Sequence, residues 1–302
     1  VPTTTLNYAA LTEPYNRAEG QALAATLRAS GPTGRKYVGM GVAVDVIGSI
    51  AFAAVVLVML PITIGGFVNY AQHPDRIDLS LPLTTLAVVV FSAAFLWWLL
   101  HRYLRRLGTP EIWWRLDRFA RANGLAFAPW SPDPQFPSAL FDAGPGAAAY
   151  NHLRRDGEQF FNIGNLYYQS GRAGMETFDQ RWGFVAVYLE QEWPPLLLDA
   201  KANNRLGNTG LNVRISQSQP TPVTWQGSED YVLWSREADI DRAEQAFTDD
   251  LIGALVTAKG TYDAHIDGRW LYFYSRSAFE MTDPALLAEL FGLVDIVRTA
   301  RL

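Results

Sequence analysis

Two uncharged runs constrain this chain more than any other feature. No Asp, Glu, Lys or Arg occurs from Val46 to Pro74, and none from Leu79 to Leu100. A bilayer-spanning helix needs about 20 mainly apolar residues. The runs therefore predict two transmembrane α-helices joined by the short connection Ala71 to Ser80. They also explain why only 18% of the residues are charged while 49% are hydrophobic.

The first apolar segment, Tyr37 to Tyr70, is longer than one span, and two registers fit it. A core from Val46 to about Phe67 puts Asp45 at the headgroups, with Pro61 as a kink. A core from about Val38 to Leu60 submerges Asp45, where an acid points to an ion path or a partner contact. The second span, from about Leu81 to Leu100, has Ser80 and Pro82 at its start. It ends in Trp97 and Trp98, an interfacial aromatic pair. Arg102, Arg105 and Arg106 follow as membrane-interface residues, with Arg115 and Arg118 beyond them. Arg17, Arg28, Arg35 and Lys36 precede the first span, whereas the connection carries only Arg76 beside Asp75 and Asp78. The positive-inside rule then predicts the cell (inner) membrane, with both termini and the C-terminal domain cytoplasmic. The first 36 residues lack a continuous apolar core, so the first apolar segment is expected to be an anchor rather than a cleaved leader.

Four parts follow: an N-terminal cytoplasmic tail (1–36), a transmembrane hairpin (37–108), a juxtamembrane helix (109–124) and a cytoplasmic α+β domain (125–302). Ile112, Trp113, Leu116, Phe119 and Ala120 recur at helical spacing. That helix either lies on the bilayer with its arginines toward anionic lipid or packs on the domain behind it. The tail is too polar to pack alone and is expected to be disordered or to order on a partner. From Leu125 onward the chain has 23 acidic and 14 basic residues, a balance that argues against nucleic acid.

Strand signals come first in that domain. They are "EQFFNIGNLYYQSG", "TFDQRWGFVAVYLE" (apolar on both faces, hence central), "PLLLDAK" and "YVLWS". "TYDAHIDGRWLYFYS" reads as a hairpin turning at Asp267-Gly268. Helices are expected from Ala238 to Val256 and from Ala285 to about Thr299. Strands before helices, without alternation, predict a mostly antiparallel sheet.

The runs "RWGFVAVYLEQEWPPLLLDAKANN" (Arg181 to Asn204), "FFNIGNLYYQSG", "TWQGSEDYVLW" and "DGRWLYFYS" resemble a bacterial, actinobacterial-type family. Its members are two-span membrane proteins with a C-terminal cytoplasmic domain of unknown function. The resemblance covers roughly Phe119 to the end, plus the two-span layout. It implies an α+β domain on an anchor and supplies no catalytic residues.

No cofactor is expected. Cysteine is absent, which excludes disulfides and thiolate chemistry. His73, His101, His152 and His265 have no metal-ligand spacing. His101 reads as interfacial and His265 as a strand histidine with a hydrogen-bond partner. "DAGPGAAAY" lacks a dinucleotide fingerprint and "GNTG" is a loop. No nucleophile elbow occurs. The acid pairs Asp249-Asp250, Glu229-Asp230 and Asp239/Asp241 read as a solvated face. Candidate partner contacts are Asp45, Trp113, and Trp130 and Phe136 in the proline-rich "PWSPDPQFP". Ser49 with Ala53, and Gly65-Gly66, offer small faces for another helix. The leading expectation is a non-catalytic accessory subunit of a larger membrane complex. Its partners would be other integral membrane proteins, of a respiratory or transport complex, and the lipid bilayer. A membrane-anchored small-molecule sensor and a lipid-active enzyme without a recognisable motif are the alternatives.

Overall fold

A computed structural model describes residues 6–30, 35–73, 79–107, 109–132, 134, 136, 147–170, 178–203, 221–223, 230–258 and 262–302. The chain divides into two compact units. One is Gly34–Pro110; the other joins Val1–Thr33 to Glu111–Leu302.

The first unit is a helical hairpin of α3 (Arg35–Gln72) and α4 (Ser80–Leu107). Phe52, near the middle of α3, meets Phe95, near the middle of α4, at 4.4 Å between ring centroids. Nearer the connection between the helices, a Cβ on Gly66 would lie 3.2 Å from that of Pro82. The two helices are therefore antiparallel, and Gly66 serves their own close approach. Among the described residues one helix is long and apolar enough to cross a membrane, Ile50–Gln72, with 23 residues and a mean hydropathy of 2.4. The second apolar stretch, Pro82–Trp98, is shorter. The structure thus meets the length test for one of the two expected spans. Asp45 lies in α3 and Arg102, Arg105 and Arg106 lie in α4, but their side chains are outside the described residues, as is most of the connecting loop.

The second unit begins with α1 (Ala9–Thr12) and α2 (Arg17–Ser30) and resumes with α5 (Thr109–Ala122). The tail has local reasons to be helical. Asn16 Oδ1 accepts from the N–H groups of Ala18 and Glu19, and Asn16 Nδ2 donates to Glu19 Oε1. This is a reciprocal cap built on "NRAE". The tail orders on its own chain. Arg115 Nη1 donates to Leu11 O (2.6 Å) and Glu13 O (2.9 Å). Trp114 Nε1 donates to Glu19 (3.0 Å), and Arg118 pairs with Glu13 at 2.7 Å. Of the arginines that one of the two readings turned toward lipid, Arg115 and Arg118 hold the tail. α5 presents Leu116, Phe119 and Ala120 to the core, fully buried, so it packs on the domain. Gly124, at φ +63°, ends it in the left-handed conformation that glycine tolerates.

Among the described residues the sheet has seven strands, and every pairing is antiparallel. They are β1 (Ala126–Pro132), β2 (Ala148–Arg155), β3 (Phe161–Ser170), β4 (Phe178–Ala200), β5 (Thr221–Val223), β6 (Tyr231–Ser235) and β7 (Asp263–Ser275). The path is β1-β2-β3-β4-β6-β5, with β7 on the other edge of β4. β4 is central, as its two apolar faces require: Val185, Val187 and Leu189 enter one core and Trp182, Phe184 and Ala186 the other. It also absorbs "PLLLDA", which the sequence separated as its own strand. Two register irregularities, between Tyr188 and Trp193 and between Trp193 and Leu196, accommodate Pro194 and Pro195.

The expected hairpin at Asp267-Gly268 is corrected. β7 runs straight through, and Gly268 (φ +58°) sits opposite Trp193 at a bulge. The dipeptide uses its left-handed freedom to bend a strand rather than reverse it. The helix expected over Ala238 to Val256 is likewise divided into α6 (Ile240–Ala246) and α7 (Asp249–Thr257). Thr248 interrupts it by accepting from Leu251 N as a new N-cap. The last helix, α8 (Pro284–Thr299), starts where expected, with Asp283 as cap. Helices α5 to α8 all contribute to the larger core on one sheet face. The second core is made of strand residues with Phe136 and Ala147. "GNTG" and most of "TWQGSED" and "DAGPGAAAY" lie outside the described residues.

Candidate functional site

The site grows from a β-bulge. Between the pairs Tyr150↔Asn165 and Leu153↔Ile163, two residues of β2, Asn151 and His152, oppose the single Gly164 of β3. Asn151 takes φ +48° to do so, and its Oδ1 accepts from Trp113 Nε1 at 3.0 Å. The bulge re-aims His152, as bulges beside sites often do. The His152 side chain sits where a Cβ on Gly164 would be, 2.3 Å from the His152 Cβ.

His152 is 2% exposed. Its Nδ1 lies 3.0 Å from Asn162 Oδ1 and its Nε2 lies 2.8 Å from Ser131 Oγ. Asn162 Oδ1 only accepts, so Nδ1 carries the proton and Nε2 accepts from the Ser131 hydroxyl. The His152 pKa is lowered to about 4, chiefly by burial; the Asn162 bond opposes the shift and Arg154 adds to it. The ring is neutral near pH 7.

These residues floor a cleft of about 570 Å³. Phe136, Phe160, Tyr188 and Trp270 form its aromatic wall. Trp270 meets Phe136, Phe160 and Tyr188 edge-on at 5.6, 5.4 and 5.2 Å. Arg154 also lines the cleft, with Nε 3.2 Å from Asp156 Oδ1.

The connectivity Ser131–His152–Asn162 is that of an activated serine, but its chemistry is weak. A general base works best with a pKa near the operating pH. A ring held near 4 and backed by an amide rather than a carboxylate is a poor acceptor for the Ser131 proton. The floor is better suited to holding a ligand by hydrogen bonds.

At His265, the other buried histidine, Nδ1 finds no hydrogen-bond partner among the described residues, the ring stacks on Tyr272 at 6.1 Å, and burial lowers the pKa to about 4. Among the described residues no group of three His, Asp or Glu is placed to hold a metal. Asp249 and Asp250 are exposed, as a solvated face requires.

The sequence-chosen contacts do not assemble into one site. Trp113 is 6% exposed, an internal packing residue rather than an open contact. Trp130 is half-buried in β1, with its ring against Tyr150 and Tyr167. Phe136 alone reaches the cleft. Trp97 (71% exposed) and Trp98 (50% exposed) lie on α4 in the other unit. Ser131, His152 and Arg154 were not chosen as site residues because β1 and β2 were not recognised as strands; Asn162 lies on β3, whose strand was recognised but whose partner in the site was not.

No family model and no curated protein matches the chain. Among solved structures, the crystal structure of the mycobacterial trehalose monomycolate transport factor A, TtfA, is similar at 11% identity. The likeness covers 63% of this chain and 93% of that one, with a TM-score of 0.41.

Proposed function

We propose that this chain is a membrane-anchored, non-catalytic accessory protein that binds other integral membrane proteins through its helical hairpin. One observation carries the reading. The hairpin leaves large apolar side chains uncovered along both helices, among them Leu57 (73% exposed) and Phe91 (66%). Contiguous apolar surface of this kind is costly in water and fits lipid or a partner helix. In this reading both α3 and α4 span the bilayer, both termini are cytoplasmic, and the chain belongs with the two-span proteins its sequence resembles. The weak base at His152 supports the non-catalytic part.

The test is purification from the native membrane in mild detergent, with intact-complex sizing and mass spectrometry of co-purifying chains. A stoichiometric set of membrane proteins is expected. A lone chain or a homo-oligomer would overturn the accessory role.

The cleft favours a second reading, a domain that binds a small molecule. A concave, partly aromatic pocket with a few convergent polar groups is the usual form of a ligand site, and such sites measure about 300–1,000 Å³. The two readings are compatible, since an accessory protein can be ligand-responsive.

A further inference from the structure

We propose that the cleft floored by His152 and Ser131 binds a small amphiphilic anion, a molecule with an apolar body and a carboxylate or phosphate head. The inference rests on the ligand-binding reading and gives that ligand its chemistry.

Charge selects the head. From Leu125 onward acidic residues outnumber basic ones, 23 to 14. Among the described residues that line the cleft none is acidic, and Arg154 is the charged one. The Arg154–Asp156 pair is solvent-exposed on both sides, 43% and 62%. Exposed pairs of this type hold weakly. An incoming oxyanion can therefore take the guanidinium through stronger, charge-assisted hydrogen bonds.

The floor adds direction. Asn162 commits its Oδ1 to His152, which leaves its amide N–H groups as donors for an anionic oxygen. The Ser131 hydroxyl donates to His152, so its Oγ presents lone pairs instead. Because Gly164 and the bulge fix His152, the floor needs little reorganisation on binding. The wall selects the body: Phe136, Phe160, Tyr188 and Trp270 present an apolar, aromatic surface too large for a bare inorganic anion. A free fatty acid and a phospholipid fragment both fit this description.

The experiment uses the full chain in nanodiscs of zwitterionic lipid. Binding of decanoate, decyl phosphate, decylammonium and decanol is titrated calorimetrically against empty nanodiscs. Saturable binding of one or both anions, with none of decylammonium, is expected. Preference for decyl phosphate would indicate a phospholipid-derived ligand, and preference for decanoate a fatty acid. Arg154→Gln should weaken anion binding about tenfold or more, and Trp270→Ala should weaken all binding, with circular dichroism unchanged. Equal binding of decanol and the anions, or no effect of Arg154→Gln, would overturn the anion inference while leaving a ligand site. No saturable binding of any probe would overturn the ligand-binding reading with it.

Discussion

Gly164 and His152 face each other across the β2–β3 ladder so closely that a methyl group at position 164 would lie 2.3 Å from the His152 Cβ and 2.8 Å from its Cα. The neighbouring atoms belong to backbone and Cβ, which cannot swing aside. Gly164→Ala should therefore destabilise the domain by about 1–3 kcal/mol, the usual cost of overpacking. It should also displace His152 and weaken ligand binding in the cleft. Denaturant midpoints of the full chain check the first effect. An unchanged midpoint would mean that the ladder yields more easily than its geometry indicates.

The two buried histidines make stability fall in acid. Both have folded pKa values of about 4, below the unfolded value near 6.5. Between those values the unfolded chain binds protons that the folded chain does not, so stability rises with pH through that window. It should be flat above about pH 7 and decline from about pH 6.5 toward 4, by on the order of a few kcal/mol for each histidine. Unfolding at pH 8, 6 and 5 measures the slope. His152→Gln should reduce it, and an unaltered slope would remove His152 from the account.

Arg115 is the hinge pin of the N-terminal segment. Besides its two carbonyl bonds to the tail it pairs with Glu111 at 2.9 Å, and its side chain is 15% exposed. Hydrogen bonds to charged groups contribute about 1.5–3 kcal/mol. Arg115→Ala should free residues 6–30 and raise their proteolytic cleavage rate about tenfold, while residues 147–170 stay resistant. Equal resistance in the variant would show that Trp114 and Arg118 suffice.

Topology is testable because the chain has no cysteine. Single cysteines at Ser80 and Ser170 should divide under an impermeant thiol reagent applied to intact cells. Ser80→Cys is expected to label and Ser170→Cys to label only after lysis. The reverse pattern would invert the proposed orientation.

What the sequence disclosed depended on how strongly each element is patterned. α5 and α8 carry clear apolar stripes and local caps, and β4 is apolar on both faces, so all three were legible. β1 and β2 were not. "AAYNHLRR" alternates weakly because its bulge shifts the register at Asn151, and β1 runs into prolines that mimic a loop. Gly268 shows the limit of turn chemistry: a left-handed residue permits a reversal or a bulge, and only the long partner β4 decides between them. "NRAE" is the signal that could have revealed α2. For the Ser131–His152–Asn162 floor no local signal exists, since its members lie on three different strands.

β4 has a consequence of its own. Residues 183–187 pair with β3 on one edge and β7 on the other, and residues 197–198 pair with β6 and β7. β3 and β6 thus dock end to end along one side of a single strand, while β7 spans both on the opposite side. Neither half of the sheet can open without stripping the strand that completes the other. The amide protons of β3, β6 and β7 should therefore exchange with solvent in one shared event, and the domain should offer no seam at which it divides into two foldable pieces.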